Sequence, residues 1–247
     1  MKKVVFLFLL FTCVGATAQS NDSRWFRLTL GFFVNSQQIH RGAVFYPAPT
    51  TFAGPAFTFF NQINVRGPDI SWSRSKRSDK FQYQIGLRFI NDGAPFLGFS
   101  SSFDEDTDYR ASRKDSLEAY LGVRYRFGFK DLFEWGVELS KDLNSHEGNY
   151  ALLSLKLPAL IKFLSLTIRS GVGSLEHNRY VYGTNAVSGL GHQDLELSYV
   201  IPQLPWSGII IFSLSQSWVM QKENINANLI RGHHDQLVAS TRWLWFF

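Results

Sequence analysis

Residues 116–142 read SLEAYLGVRYRFGFKDLFEWGVELSKD, and the reading of this stretch decides the fold. Leu117, Ala119, Leu121, Val123, Tyr125 and Phe127 alternate with Ser116, Glu118, Tyr120, Gly122, Arg124 and Arg126. One set is apolar and the other polar or small, a period of two that means a strand with one oily and one wet face. After the break at 128–131 the pattern resumes, with Phe133, Trp135, Val137 and Leu139 against Glu134, Gly136, Glu138 and Ser140. A hairpin centred near Phe129 sets Arg124 opposite Glu134, Gly122 opposite Gly136 and Tyr120 opposite Glu138. Facing opposite charges favour such a pairing. Strands of roughly ten residues with aromatics at their ends have the size of transmembrane β-strands.

Composition points the same way. The 247 residues are 45% hydrophobic and 16% aromatic, but only 18% charged, where soluble domains carry about 25% charged residues. Mean hydropathy is near zero. Beyond the N-terminus no run approaches the ~18 apolar residues of a spanning helix. A barrel half facing lipid and half facing water fits these values.

The first residues read as a secretory signal peptide, residues 1–18, leaving 19–247 as one barrel domain. Lys2-Lys3 is the charged start, Val4 to Thr12 the apolar segment and Ala16-Thr17-Ala18 the cleavage site. Cys13 is the one cysteine and lies inside that leader, so the mature chain is expected to hold no disulfide and no thiolate chemistry. Export of this kind places the protein in the bacterial outer membrane. Loss of Lys2 and Lys3 lowers the formal charge from +5 to +3, too weak and scattered for a nucleic-acid partner.

Alternation marks further strands at Trp25–Val34, Phe57–Val65, Ile70–Ser73, Phe81–Ile90, Asn149–Leu157, Lys162–Val172, Asp194–Ile201, Trp206–Trp218 and Gln236–Phe247. Breaks are expected at Pro158 and at Pro202 to Pro205. Ile39–Tyr46 is weaker, and counting it as a strand gives an all-β, antiparallel up-and-down barrel of about twelve strands; ten is the alternative. Connections alternate long and short from the C-terminus back to 75–80, as outer-membrane barrels do with long outer loops and short periplasmic turns. Gly67-Pro68 then stands as a tight outer turn. Trp243, Trp245 and Phe247, in phase on the last strand, resemble the C-terminal signal read by the barrel-insertion machinery.

Chemistry is sparse. Ser145-His146-Glu147 offers triad residue types, but adjacent residues cannot converge as a relay. His233-His234-Asp235 reads as a solvated loop. Asp104 to Asp108 lacks the glycine and terminal glutamate of an EF-hand and reads as an outer loop meeting lipopolysaccharide and its divalent ions. His192 and Ser198 lie about 20 Å apart along a strand. No catalytic, metal or cofactor residues are therefore expected, and no cofactor. The inward set instead carries both charge signs: Arg88, Glu118, Arg124, Arg126, Glu134, Glu138, Arg169 and Arg242 are expected to cross-link the lumen.

Phe127–Leu155, with His146-Glu147-Gly148, resembles the MltA-interacting protein/OmpV family of outer-membrane proteins. Asn178-Arg179-Tyr180-Val181-Tyr182-Gly183 with Ser188-Gly189-Leu190, and His234-Asp235-Gln236-Leu237, are similar to later segments of that family. The N-terminal Tyr46-Pro47-Ala48-Pro49 only partly matches its opening. The resemblance implies a non-enzymatic barrel acting as a scaffold for a murein hydrolase and synthase, set among outer-membrane lipid and lipopolysaccharide. A narrow channel for small solutes is the first alternative and a lipid-modifying enzyme the second.

Overall fold

A computed structural model describes residues 26–46, 50–74, 80–90, 98–100, 115–128, 132–161, 163–204, 208–230 and 234–247. The signal peptide, the acidic run at 104–108 and His233 lie outside these residues. Strand β1 (Phe26–Asn35) is followed by a small hairpin, β2 (Gln38–His40) and β3 (Ala43–Tyr46). Next come β4 (Thr50–Phe59), β5 (Ile63–Arg66), β6 (Asp69–Arg74), β7 (Phe81–Ile90) and the short β8 (Gly98–Ser100). β9 (Ser116–Phe127), β10 (Phe133–Asp142), β11 (Asn149–Ile161) and β12 (Leu164–Gly173) lead to helix α1 (Leu175–Tyr182). β13 (Gly189–Leu204), β14 (Gly208–Val219), the single turn α2 (Lys222–Ile225) and β15 (Asp235–Phe246) complete the order.

Twelve strands close into an antiparallel cylinder, because β1 pairs with β15 on one side and with β4 on the other. Pairing β1 on both sides closes the wall, so its first and last strands present no open edge of unpaired amides to lipid. Side chains alternate accordingly. Leu121, Leu139, Leu153, Leu195, Leu214 and Leu237 stand exposed on the outside, while Ser71, Glu118, Tyr120, Ser140, Thr167, Ser198 and Ser213 are buried within. So continuous an apolar exterior is the lipid-contacting face of a membrane barrel. Aromatics crowd the end that carries both termini: Phe26 lies 5.4 Å from Phe59, Phe127 5.4 Å from Phe133 and Trp72 5.6 Å from Tyr83, ring centre to ring centre. The chain is a β-barrel of the outer-membrane type.

The strand count agrees with the sequence reading, but its members differ. Ile39–Tyr46 is not part of the wall; its residues fall in β2 and β3, which pair only with each other. The reason is a turn at Arg41-Gly42, both at positive φ (52° and 81°), which folds the segment back on itself. The twelfth wall strand comes from Phe57–Val65, which breaks at Phe60 and Asn61 (φ 51° and 57°) into the end of β4 and the first three residues of β5. Gly67-Pro68 is indeed a tight turn, joining β5 to β6. Because β5 has four residues, the wall beside it is short, and β8 pairs with the upper end of β4 there.

Two further boundaries move. β11 runs past Pro158 to Ile161, with its register irregular between Leu157 and Ile161. β13 likewise runs past Pro202 to Leu204, again through an irregularity. A proline is tolerated in a strand where the ladder already breaks.

The end opposite the termini carries the longer connections and is the outward one by the rule for such barrels. It is closed by packing. Ala43 of the small hairpin, Ile90, Val181 and Tyr182 of α1, Ala186, Val219, Ala227 and Ile230 bury one another there. Val219, Ala227 and Ile230, from the end of β14 and the connection that follows it, thus supply part of a small apolar core.

Candidate functional site

Below that core the Arg41 side chain enters the barrel. Its guanidinium donates to both oxygens of Glu118 on β9, at 2.6 Å each, and to the Ser140 hydroxyl at 3.2 Å. It lies 3.9 Å from the centre of the Tyr150 ring and 3.3 Å from the His177 ring nitrogen Nε2. The Arg41 and Glu118 side chains are 5% and 1% exposed, so this ion pair is shielded from water. Tyr182 donates its hydroxyl to the Arg41 carbonyl at 2.9 Å, tying α1 to the hairpin.

Local sequence explains why these groups meet. Ser174 caps α1 by accepting from the His177 N–H, and Glu176 suits the positive end of the helix. Gly148 and Gly173 let α1 approach the wall, since a Cβ on Gly148 would lie 2.5 Å from the His177 nitrogen. Gly42 does the same for the hairpin, where a Cβ would lie 2.6 Å from the His192 Cβ. The Asp142 carboxylate accepts the backbone N–H groups of Ser145, His146 and Glu147 at 2.7, 2.6 and 2.9 Å and is also bonded by Ser116. That anchored loop stacks His146 on Tyr180 and sets it edge-on to His177. Ser145-His146-Glu147 is therefore a cap on Asp142, with no relay geometry.

Burial, reinforced by the Arg41 charge, holds His177 well below its ordinary titration range, and burial pushes His146 down as well. Burial thus favours the neutral form of both in the closed mouth, and exposure returns them to the ordinary value of 6.5. The open form then binds more protons, so closure is at full strength above about pH 6.5 and weakens as pH falls below it. Trypsin cleavage after Arg41 in detergent-solubilised protein should accelerate from pH 7.5 to pH 5. Replacing both His146 and His177 by glutamine should flatten that dependence.

Further down the lumen some of the charged residues named from the sequence form ion pairs, with partners other than those expected. Arg126, and not Arg124, pairs with Glu134, at 3.0 Å. The register is Arg126 opposite Glu134, Gly136 opposite Arg124 and Glu138 opposite Gly122, two residues away from the hairpin centred on Phe129. The described pairing begins at Phe127 opposite Phe133. Arg88 binds Glu138 at 3.0 Å and Asp69 at 3.3 Å, with its guanidinium 4.5 Å from the centre of the Tyr120 ring. Arg169 binds Glu196 at 2.7 Å. Among the described residues Arg124 and Arg242 have no carboxylate within 4.0 Å, and neither have Arg66 and Lys156. A double-mutant cycle on Arg126→Ala and Glu134→Ala should show coupling of roughly 0.5 kcal/mol in thermal or urea unfolding, a modest value because the pair faces a wet lumen. The cycle on Arg124→Ala and Glu134→Ala should be additive.

Trp243 and Trp245 face outward, and Trp243 packs on Phe32 with ring centres 5.3 Å apart. Phe247 exchanges backbone hydrogen bonds with Leu28, at 2.9 and 3.3 Å. The sequence reading named Glu118 in the network, set His192 aside as a catalytic partner of Ser198, quoted Tyr182 only in a family-like segment, and gave no role to Arg41, Tyr150 or His177. Arg41-Gly42 was the available signal, a turn-forming pair inside a weak strand.

No family model and no curated protein matches this chain. Among solved structures it is similar to the outer membrane protein OprD from Pseudomonas aeruginosa, at 13% identity and a TM-score of 0.39, covering 93% of this chain and 67% of that one. The Pseudomonas aeruginosa OpdK structure with vanillate matches at 12% identity and a TM-score of 0.39, over 92% of this chain and 66% of that one. An outer membrane channel from Pseudomonas putida F1 matches at 10% identity and a TM-score of 0.36, over 93% and 100%.

Proposed function

We propose that the barrel is a narrow outer-membrane channel for small anionic solutes, described here with its outer mouth closed. The supporting observation is an imbalance in the lumen. The inward carboxylates Asp69, Glu118, Glu134, Glu138, Asp142, Asp194 and Glu196 are all engaged by cationic or hydroxyl groups. Arg66, Arg124, Lys156 and Arg242 share the inner face without a carboxylate within 4.0 Å among the described residues. Basic side chains without a carboxylate in contact, lining a narrow passage with low-dielectric walls, attract anions and repel cations. Among the described residues no nucleophile and base on this wall are hydrogen-bonded as a relay, and we read the wall as a passage.

Planar bilayers with a salt gradient test it. Wild type should open rarely, with a reversal potential on the anion side, and Arg124→Glu with Arg242→Glu should move that potential to the cation side. A reversal potential indifferent to these changes would remove the proposal. A barrel that never conducts while murein-remodelling enzymes co-purify with it would return the scaffold role that the family resemblance implies.

A further inference from the structure

We propose that Glu118, His146 and His177 form a binding site for a transition-metal dication of the zinc class, in competition with the Arg41 guanidinium. One ligating atom from each lies within 4.8 Å of the other two, and the three come from separate elements converging on one point in the outer mouth. Two imidazoles and a carboxylate suit zinc, with a fourth position left for water, and do not suit calcium or magnesium, which take oxygen ligands. The atoms must draw together by about 1 Å to reach the spacing that bonds of 2.0–2.2 Å require.

A second, independent feature marks the place. The His146 side chain is 8% exposed and its Nε2 has no hydrogen-bond partner among the described residues. Its Nδ1 accepts from the Gly148 N–H at 3.0 Å. Ligation through either ring nitrogen gives up that one bond, because a metal at Nε2 puts the ring proton on Nδ1.

Arg41 is the cation that holds the site now. Both Glu118 oxygens are taken by its guanidinium at 2.6 Å, so metal and arginine exclude each other. Arg41 sits on the β2–β3 hairpin, which pairs with no wall strand. Metal binding at Glu118 would therefore expel the hairpin from the mouth. Asp142 is unsuited to join the set, since its oxygens are engaged by backbone N–H groups and Ser116. The binding claim stands apart from the channel reading and is tested without any measure of conductance.

The test is titration of the folded, detergent-solubilised barrel with zinc alone by calorimetry, and with cobalt(II) alone by visible absorption. Folding of each variant is checked by heat-modifiable gel mobility. Wild type should bind one ion with the intense visible bands of four-coordinate cobalt. Arg41→Gln should bind at least tenfold tighter, and Glu118→Gln or His177→Ala at least tenfold weaker than wild type. Equal affinity in wild type and Arg41→Gln would overturn the competition, and absence of the cobalt bands from both would overturn the site. Should Arg41→Gln not fold, wild type against His177→Ala decides: equal binding, or none, overturns the proposal.

Discussion

Arg41→Ala is expected to open the barrel. The substitution leaves the Glu118 carboxylate at 1% exposure without its partner, and stranding one member of a buried ion pair costs about 3–5 kcal/mol. The cation–π contact to Tyr150 and the bond to Ser140 go with it. Tyr182 still reaches the backbone carbonyl of residue 41, but one neutral hydrogen bond contributes only about 1 kcal/mol. The closed arrangement then loses its main polar tie, and the hairpin leaves the mouth. In planar bilayers the rare openings of wild type should become a steady open level. Adding Glu118→Gln should recover part of the closed time, because an amide is far cheaper to bury than a carboxylate. If Arg41→Ala is as silent as wild type while folded, Arg41 is not what keeps the mouth shut.

Gly42→Val is expected to reach the same open state without altering any charge. Residue 42 has φ +81°, where a side chain costs roughly 1–2 kcal/mol and a β-branched one more. The added Cβ would also lie 2.6 Å from the His192 Cβ, an atom fixed by its strand. The hairpin then cannot seat, whatever Arg41 does. Gly67→Ala is the control: φ is +56°, but nothing lies within 4 Å of the new methyl group. It should strain the β5–β6 turn and leave conductance as it was. Equal behaviour of Gly42→Val and Gly67→Ala would remove the hairpin from the closing mechanism.

The alternation of 116–142 carried the fold because a period of two is fixed by backbone geometry, and β9 and β10 pair without a register irregularity. It could not fix partners. The true register of β9 and β10 differs from the expected one by two residues, and a shift of two keeps every side chain on its face. Arg124 therefore keeps its expected face but stands opposite Gly136 in place of Glu134. The closing elements were illegible for a different reason. Arg41 meets Glu118 across 77 positions, and Tyr182 meets Arg41 across 141, so no local pattern announces either contact. Asn178–Gly183 was read through its resemblance to a tyrosine-rich segment, although Ser174 with Glu176 is a helix start that could have been seen. The apolar residues of 219–234 are spread singly among polar ones, which concealed a small core.

The four-residue strand β5 has a mechanical consequence. A cylinder of hydrogen-bonded ribs resists shear in proportion to the rungs joining each pair, and β5 offers the fewest on both its flanks. Pulled or heated, the tube would rip along that seam, beside β4, leaving the long ribs from β9 to β15 joined as a single curved plate.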